Sequence, residues 1–203
     1  MSLFAPRTLA LDLASRITGW AADVPGTQRP AHGRFALSGI KDLGLLYCEL
    51  ENCLDILIEK YQPDRFIWCK AFFDKQQTAA RALNGLQAIA ERTAYLHGIE
   101  AREVVENNVR NCVLGRSNFG TRDEWGRLVG DGSDRAKEAV LEWCTTRGLT
   151  PGDHNDGDAL VLLKYDRMHR AGELTDDGKH VRGQPLRKSR GRVVPHPGAG
   201  GFA

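Results

Sequence analysis

The chain reads as an α/β domain built on a mixed five-stranded sheet, an antiparallel meander followed by β-α-β units, with helices flanking it. Three observations predict this. Short apolar runs around Leu9–Leu13, Trp20–Ala22 and Gly33–Leu37 follow one another with only turn residues between them, the spacing of a meander. Long segments with apolar residues three and four apart then alternate with the short runs Arg65–Cys69 and Glu103–Val105. Finally, no apolar run approaches the ~18 residues of a membrane span, so these segments must pack on one another.

Taken in order, Leu9 to Leu13 is apolar apart from Asp12, and Ser15 and Gly19 turn the chain into Trp20-Ala21-Ala22. Residues 25–32, rich in Gly and Pro, form a turn before the third strand. A helix is expected from about Lys41 to Tyr61, where Leu43, Leu46, Leu50, Leu54 and Leu57 mark one face, and Pro63 stops it. After the fourth strand, Phe72 to Gln77 is a loop into a second helix from about Thr78 to His97, closed by Gly98. Its small residues, Ala82, Gly85, Ala90 and Ala94 among them, permit close helix packing within the fold or across a dimer. A strand at Glu103–Val105 and a short helix from Asn107 or Asn108 to Leu114 follow. Gly115 to Gly132 reads as an irregular loop or small hairpin. A helix from Ser133 or Asp134 to Arg147 and a last one from Asp156 to Arg170 end the domain, placed at residues 1–170. Residues 171–203 have no apolar period, and Lys179, Arg182, Arg187, Lys188, Arg190 and Arg192 sit among Gly and Pro, the pattern of a disordered basic tail.

The 203 residues suffice for a real core, and a net charge of +2 names no partner by itself. Five cysteines at spacings that fit no zinc pattern, two of them in apolar helical stripes, favour reduced thiols. With no signal-peptide pattern, a cytoplasmic protein with no membrane partner is expected.

Asp12 is the costly residue. An acid in an apolar central strand is expensive unless paired or metal-bound, although an Asp at a strand end also caps turns. Asp158 lies one turn before the apolar stripe Leu160–Leu163, so it should sit near the sheet surface. Two acids from distant parts of the chain, meeting at one strand end, suit a hard cation with oxygen ligands. In the same stretch Asn155 or Asp156 serves equally well as a helix cap.

The element order is that of an RNase H-like domain, and several motifs resemble the RuvC family of Holliday-junction resolvases, especially its phage-borne branch. They run in order through Leu11-Asp12-Leu13-Ala14-Ser15-Arg16-Ile17-Thr18-Gly19-Trp20, Pro63-Asp64-Arg65-Phe66, Thr78-Ala79-Ala80-Arg81-Ala82-Leu83-Asn84-Gly85-Leu86, Asn108-Val109-Arg110-Asn111, Ala136-Lys137-Glu138-Ala139-Val140 and Asp158-Ala159-Leu160. The resemblance spans about Leu9 to Tyr165. It implies a homodimeric endonuclease on branched DNA, in the cytoplasm or, if phage-encoded, the host's. It also implies two Mg2+ ions, with Mn2+ able to substitute. Asp12 would bridge ions roughly 4 Å apart, and Asp156 and Asp158 would complete their shells. Asn155 stands where better-known members carry an acid or histidine. Asp156 ranks first to replace that ligand, ahead of His154 and Asp153. Lys137 would stabilise charge at the scissile phosphate, and Arg110 would hold backbone phosphates. Arg16 joins the DNA-binding set. Phe72 and Phe73 match an aromatic loop that enters the junction core, where rings stack on bases.

One position breaks the pattern. The family's fourth strand ends on a metal-bridging glutamate, and that slot holds Cys69; sliding by one gives Lys70. A neutral thiol is a poor ligand for a hard cation. An inactivating substitution is the favoured reading, with natural loss of catalysis or replacement by Asp74 as the others. The loop 115–132 interleaves Arg116, Arg122 and Arg127 with Phe119 and Trp125, a mixture that grips phosphate and stacks on bases, so it is expected to serve substrate grip rather than folding. Two other function classes stay open: a non-catalytic branched-DNA-binding protein, and an actin-like or sugar-kinase-type nucleotide-binding domain.

Overall fold

In the computed structural model, residues 6–70, 77–122, 124–125, 128–129, 132–175 and 179 are described. The strands are β1 (Thr8–Asp12), β2 (Ile17–Ala22), β3 (Ala31–Ala36), β4 (Arg65–Cys69) and β5 (Glu100–Val104), in the sheet order β3-β2-β1-β4-β5. β1 pairs antiparallel with β2, and β2 with β3, while β4 and β5 add on in parallel. The helices are α1 (Leu43–Tyr61), α2 (Gln77–Leu96), α3 (Glu106–Leu114), α4 (Gly132–Thr145) and α5 (His154–Arg170). A two-stranded hairpin, β6 (Thr121–Arg122) and β7 (Leu128–Val129), lies between α3 and α4. The expected mixed sheet flanked by helices is therefore the observed one. Its third strand starts at Ala31 rather than Gly33, and its fifth spans Glu100–Val104 rather than Glu103–Val105.

Strand parity divides the core into two layers. Leu9, Leu11, Phe66 and Trp68 point to the face covered by α1 and α2, where they meet Leu50, Leu54 and Leu86. Their alternates Ala10, Ala21 and Ile67 point to the other face, against Val140, Cys144, Leu160, Val161 and Leu163. Asp12 follows Ala10 at a spacing of two and Cys69 follows Ile67, so the same alternation turns both toward the α5 side. The small residues Ala10 and Ala21 let α5 lie close to the sheet, as its continuous burial from Ala159 to Leu163 requires.

Part of the small-residue set of α2 is used inside the chain, whereas Ala79 and Ala88 are exposed. Ala82, Ala90 and Ala94 are buried in the first core layer, and a Cβ added to Gly85 would meet the Tyr47 hydroxyl of α1 at 2.0 Å. The packed chain also runs past α5, since Leu174 is buried in the second layer. No helix among the described residues is long and apolar enough to cross a membrane.

A buried ionic network joins the start of β1 to the end of α5. Asp166 is fully buried; it accepts hydrogen bonds from Thr8 Oγ1 (2.6 Å), Arg65 Nη1 (3.1 Å) and Arg170 Nε (2.8 Å). Asp23 adds pairs with Arg167 (2.6 Å) and Arg170 (2.8 Å). Such a network costs desolvation and returns it only when every lone pair is used. Here it closes the end of the sheet opposite Asp12.

Candidate active site

The carboxyl ends of β1 and β4 carry Asp12 and Cys69, and Leu11 pairs with Trp68 in the register just before them. On β5, Val104 is the register partner of Cys69, and the chain enters α3 two residues later at Glu106. α5 approaches from the β2 side. Gly19 is the partner of Asp12 in the hairpin, and a Cβ on it would come within 2.0 Å of the Asn155 carbonyl oxygen. That contact sets the start of α5 on the sheet, and Asp158 follows one turn in.

Asp12 and Asp158 lie near enough for the charge of Asp158 to be felt at Asp12. Burial pushes the Asp12 carboxyl well above the usual range, and the charges of Asp158 and Glu106 push it further. Asp158 is pushed up to about 6 by burial and by Glu106, against the opposing charges of Arg110 and Lys137. Among the described residues the Asp12 carboxylate has no hydrogen-bond or ion-pair partner. The Cys69 thiol is raised well above its ordinary value by burial and then by Asp12, so it stays protonated beside that acid.

Arg110 and Lys137 are both drawn to this cluster. Arg110 Nη2 stands 2.6 Å from Glu106 and 3.9 Å from Asp158, and its buried Nε has no hydrogen-bond partner among the described residues. Lys137 is close enough to Asp158 to favour its ionised form, and its Nζ pairs with Asp134 at 3.2 Å.

The structure assigns the other expected residues differently. The cap of α5 is Asp153, neither Asn155 nor Asp156: its carboxylate accepts from the Asn155 and Asp156 amides (3.0 and 3.2 Å) and pairs with Arg34. Those bonds hold the Asp153 carboxyl below its ordinary value in spite of the burial that opposes them. Asn155 turns its side-chain amide onto Asp153 (3.3 Å). Asp156, ranked first as the replacement ligand, is buried and faces away from Asp12, onto His32 Nδ1 (2.9 Å) and the Gly152 amide (2.9 Å). The reason is helical geometry: Asp156 and Asp158 are 200° apart around α5, so only one can face β1. Arg16 lies exposed in the β1–β2 turn. Arg116 lies over the Phe119 ring at 4.5 Å, and Phe119 is buried, so that ring belongs to the fold and is not offered to bases. Trp125 is 73% exposed. Phe72, Phe73, Asp74 and Arg127 lie outside the described residues, as does the side chain of Arg122.

Sequence reasoning missed Glu106. Its signal was available: an acid immediately after the fifth strand, at the level where the first strand carries Asp12. Among the described residues no three His, Cys, Asp or Glu side chains already stand close enough to hold an ion. The donor chemistry nevertheless suits a hard cation, because the carboxylates of Glu106 and Asp158 already lie about one positive charge, the guanidinium of Arg110.

This sheet order and flanking make a RuvC-like fold. The solved structure of Thermus thermophilus RuvC in complex with a Holliday junction substrate aligns with TM-score 0.61 and 14% identity, over 83% of this chain and 97% of that one. A second Thermus thermophilus RuvC structure aligns with TM-score 0.55 and 14% identity, over 82% and 96%. No family model matches the chain and no curated protein matches its sequence.

Proposed function

We propose that the protein is a structure-selective endonuclease of branched DNA, acting on four-way junctions. The observation that carries this reading is the meeting of Asp12 and Asp158, flanked by Arg110 and Lys137, at one end of a RuvC-fold sheet. The likeness to a RuvC solved on a Holliday junction supports the choice of substrate.

Asp12 and Asp158 would hold Mg2+, and Mn2+ in its place. The ions, when bound, supply an activated water and stabilise the leaving 3′ oxygen of a phosphodiester. Lys137 faces Asp158 from α4 and offers its charge to the scissile phosphate, while Arg110 binds phosphate and draws the backbone toward the acids. Asp156 holds the start of α5 against β3 through His32 and is a positioning residue in this scheme. Two symmetric cuts call for two copies of the chain. The surface of α2 left for a partner includes exposed Ala79 and Ala88 as well as its end, where Tyr95 and Leu96 are 82% and 60% exposed.

A second reading, junction binding without catalysis, is favoured by the neutral Cys69 thiol beside Asp12. Magnesium-dependent nicking of a synthetic four-way junction separates the two. Wild-type chain should nick the junction in preference to duplex, and Asp12→Asn should bind without nicking. Tight binding with no nicking by either protein overturns the endonuclease reading, and ATP hydrolysis without DNA would point to the nucleotide-binding class. Sedimentation with and without junction tests the pair of copies.

A further inference from the structure

We propose that Glu106, at the start of α3, supplies the carboxylate that the fourth strand lacks at Cys69, so that Asp12, Asp158 and Glu106 together take up the divalent cation. The inference rests on the endonuclease reading for its purpose, but its geometry stands apart from it.

The carboxyl ends of three neighbouring parallel strands lie side by side. β1 ends on Asp12, β4 ends on Cys69, and β5 ends on Val104, paired with Cys69, with Glu106 two residues beyond. Because Val104 is the register partner of Cys69, Glu106 begins α3 beside the carboxyl end of β4. One nitrogen of Arg110 stands 2.6 Å from Glu106 and 3.9 Å from Asp158, so the two carboxylates lie on either side of one positive charge. Asp12, part-buried at the end of β1, has no hydrogen-bond or ion-pair partner among the described residues, which is an arrangement a bound cation relieves. Arg110 is then a place-holder: it neutralises the acids until the ion enters, and its guanidinium is released toward phosphate. A carboxylate at a helix start also favours the helix dipole, and a Glu–Arg pair four apart steadies a helix; neither role involves a cation.

The test measures Mn2+ binding to the full chain without DNA, by calorimetry and by loss of the free-ion paramagnetic signal, alongside junction nicking. Wild type should bind Mn2+, and Glu106→Gln should weaken binding by at least about 10-fold. Adding Cys69→Glu to that variant should restore binding, because the carboxylate returns to the same space. Arg110→Gln breaks the helix pair while leaving the acids, and should bind Mn2+ at least as well as wild type; a thermal melt of each variant confirms that it folds. Mn2+ binding by Glu106→Gln equal to wild type, equal losses in Glu106→Gln and Arg110→Gln, no rescue by Cys69→Glu, or a wild type that binds no Mn2+ would each overturn the assignment. Should Glu106→Gln lose Mn2+ while wild type fails to nick any junction, the ligand assignment stands and the endonuclease reading falls. If wild type nicks and Glu106→Gln keeps both properties, the reverse holds.

Discussion

Gly19 of β2 lies against the backbone of Asn155 so closely that a Cβ on it would stand 2.0 Å from the Asn155 carbonyl oxygen and 2.9 Å from the Asp156 amide. The obstacle is backbone at the capped start of a helix, not a side chain that can swing aside. Gly19→Ala must therefore push α5 away from the sheet, and with it Asp158 from Asp12. A cost of about 1–3 kcal/mol and a fall in Tm of roughly 3–10 °C are expected, together with weakened cation binding. An unchanged melt and unchanged Mn2+ affinity would show that α5 is not seated by this contact.

The acids of the site should destabilise the protein that serves them. Asp158 titrates near 6 when folded, against 3.8 ordinarily, so the folded state binds more protons than the unfolded chain between those values. Stability of the cation-free protein then falls as pH rises through that window, and the loss is complete above it. Asp158→Asn removes the penalty and should stabilise the cation-free protein at pH 7 by about 1–2 kcal/mol, while abolishing the rise in Tm that Mg2+ gives wild type. Chemical denaturation at pH 4.5 and pH 7 with a chelator present measures both arms. A destabilised Asp158→Asn protein would refute the account.

Asp166 has the opposite character. Its buried carboxylate is held by Thr8, Arg65 and Arg170, and removing it leaves two guanidinium groups half-buried beside an unfilled space. Asp166→Ala should cost about 3–5 kcal/mol and lower Tm without selectively affecting cleavage per folded molecule. Denaturant titration alongside a nicking assay on the folded fraction checks this.

The β6–β7 hairpin should contribute grip and little stability, provided Phe119 is kept. Phe119 is buried under Arg116, whereas Trp125 at the turn is exposed. Replacing residues 121–129 with a short Gly/Ser linker should leave Tm within about 2 °C, reduce junction affinity and make its salt dependence shallower by about one unit. Trp125→Ala alone should weaken binding to junctions with unpaired bases by fivefold or more if the ring stacks, since base stacking is worth roughly 1–3 kcal/mol. Affinity unaffected by either change would make the hairpin a connector.

Alternation and helical period alone determined most of the architecture: which runs are strands, which face of α1 is buried, and that Asp12 shares a sheet face with Ala10 rather than with Leu11. They also brought Asp158 to Asp12, because the apolar stripe Leu160–Leu163 could only lie on the sheet. Local pattern could not decide which acid near the start of α5 faces the site, since Asn155 and Asp156 are equally plausible caps on paper. The choice depended on where α5 is set down, and the contact of Gly19 with Asn155 turns Asp158 toward β1 and Asp156 toward His32. Nor could it show that Gly85 of α2 is packed against Tyr47 of α1, or that Phe119 folds inward. Glu106 was hidden for the same physical reason. In the chain it is 94 residues from Asp12 and looks like an ordinary helix-start acid, and only the parallel pairing of β1, β4 and β5 carries it to the same edge of the sheet.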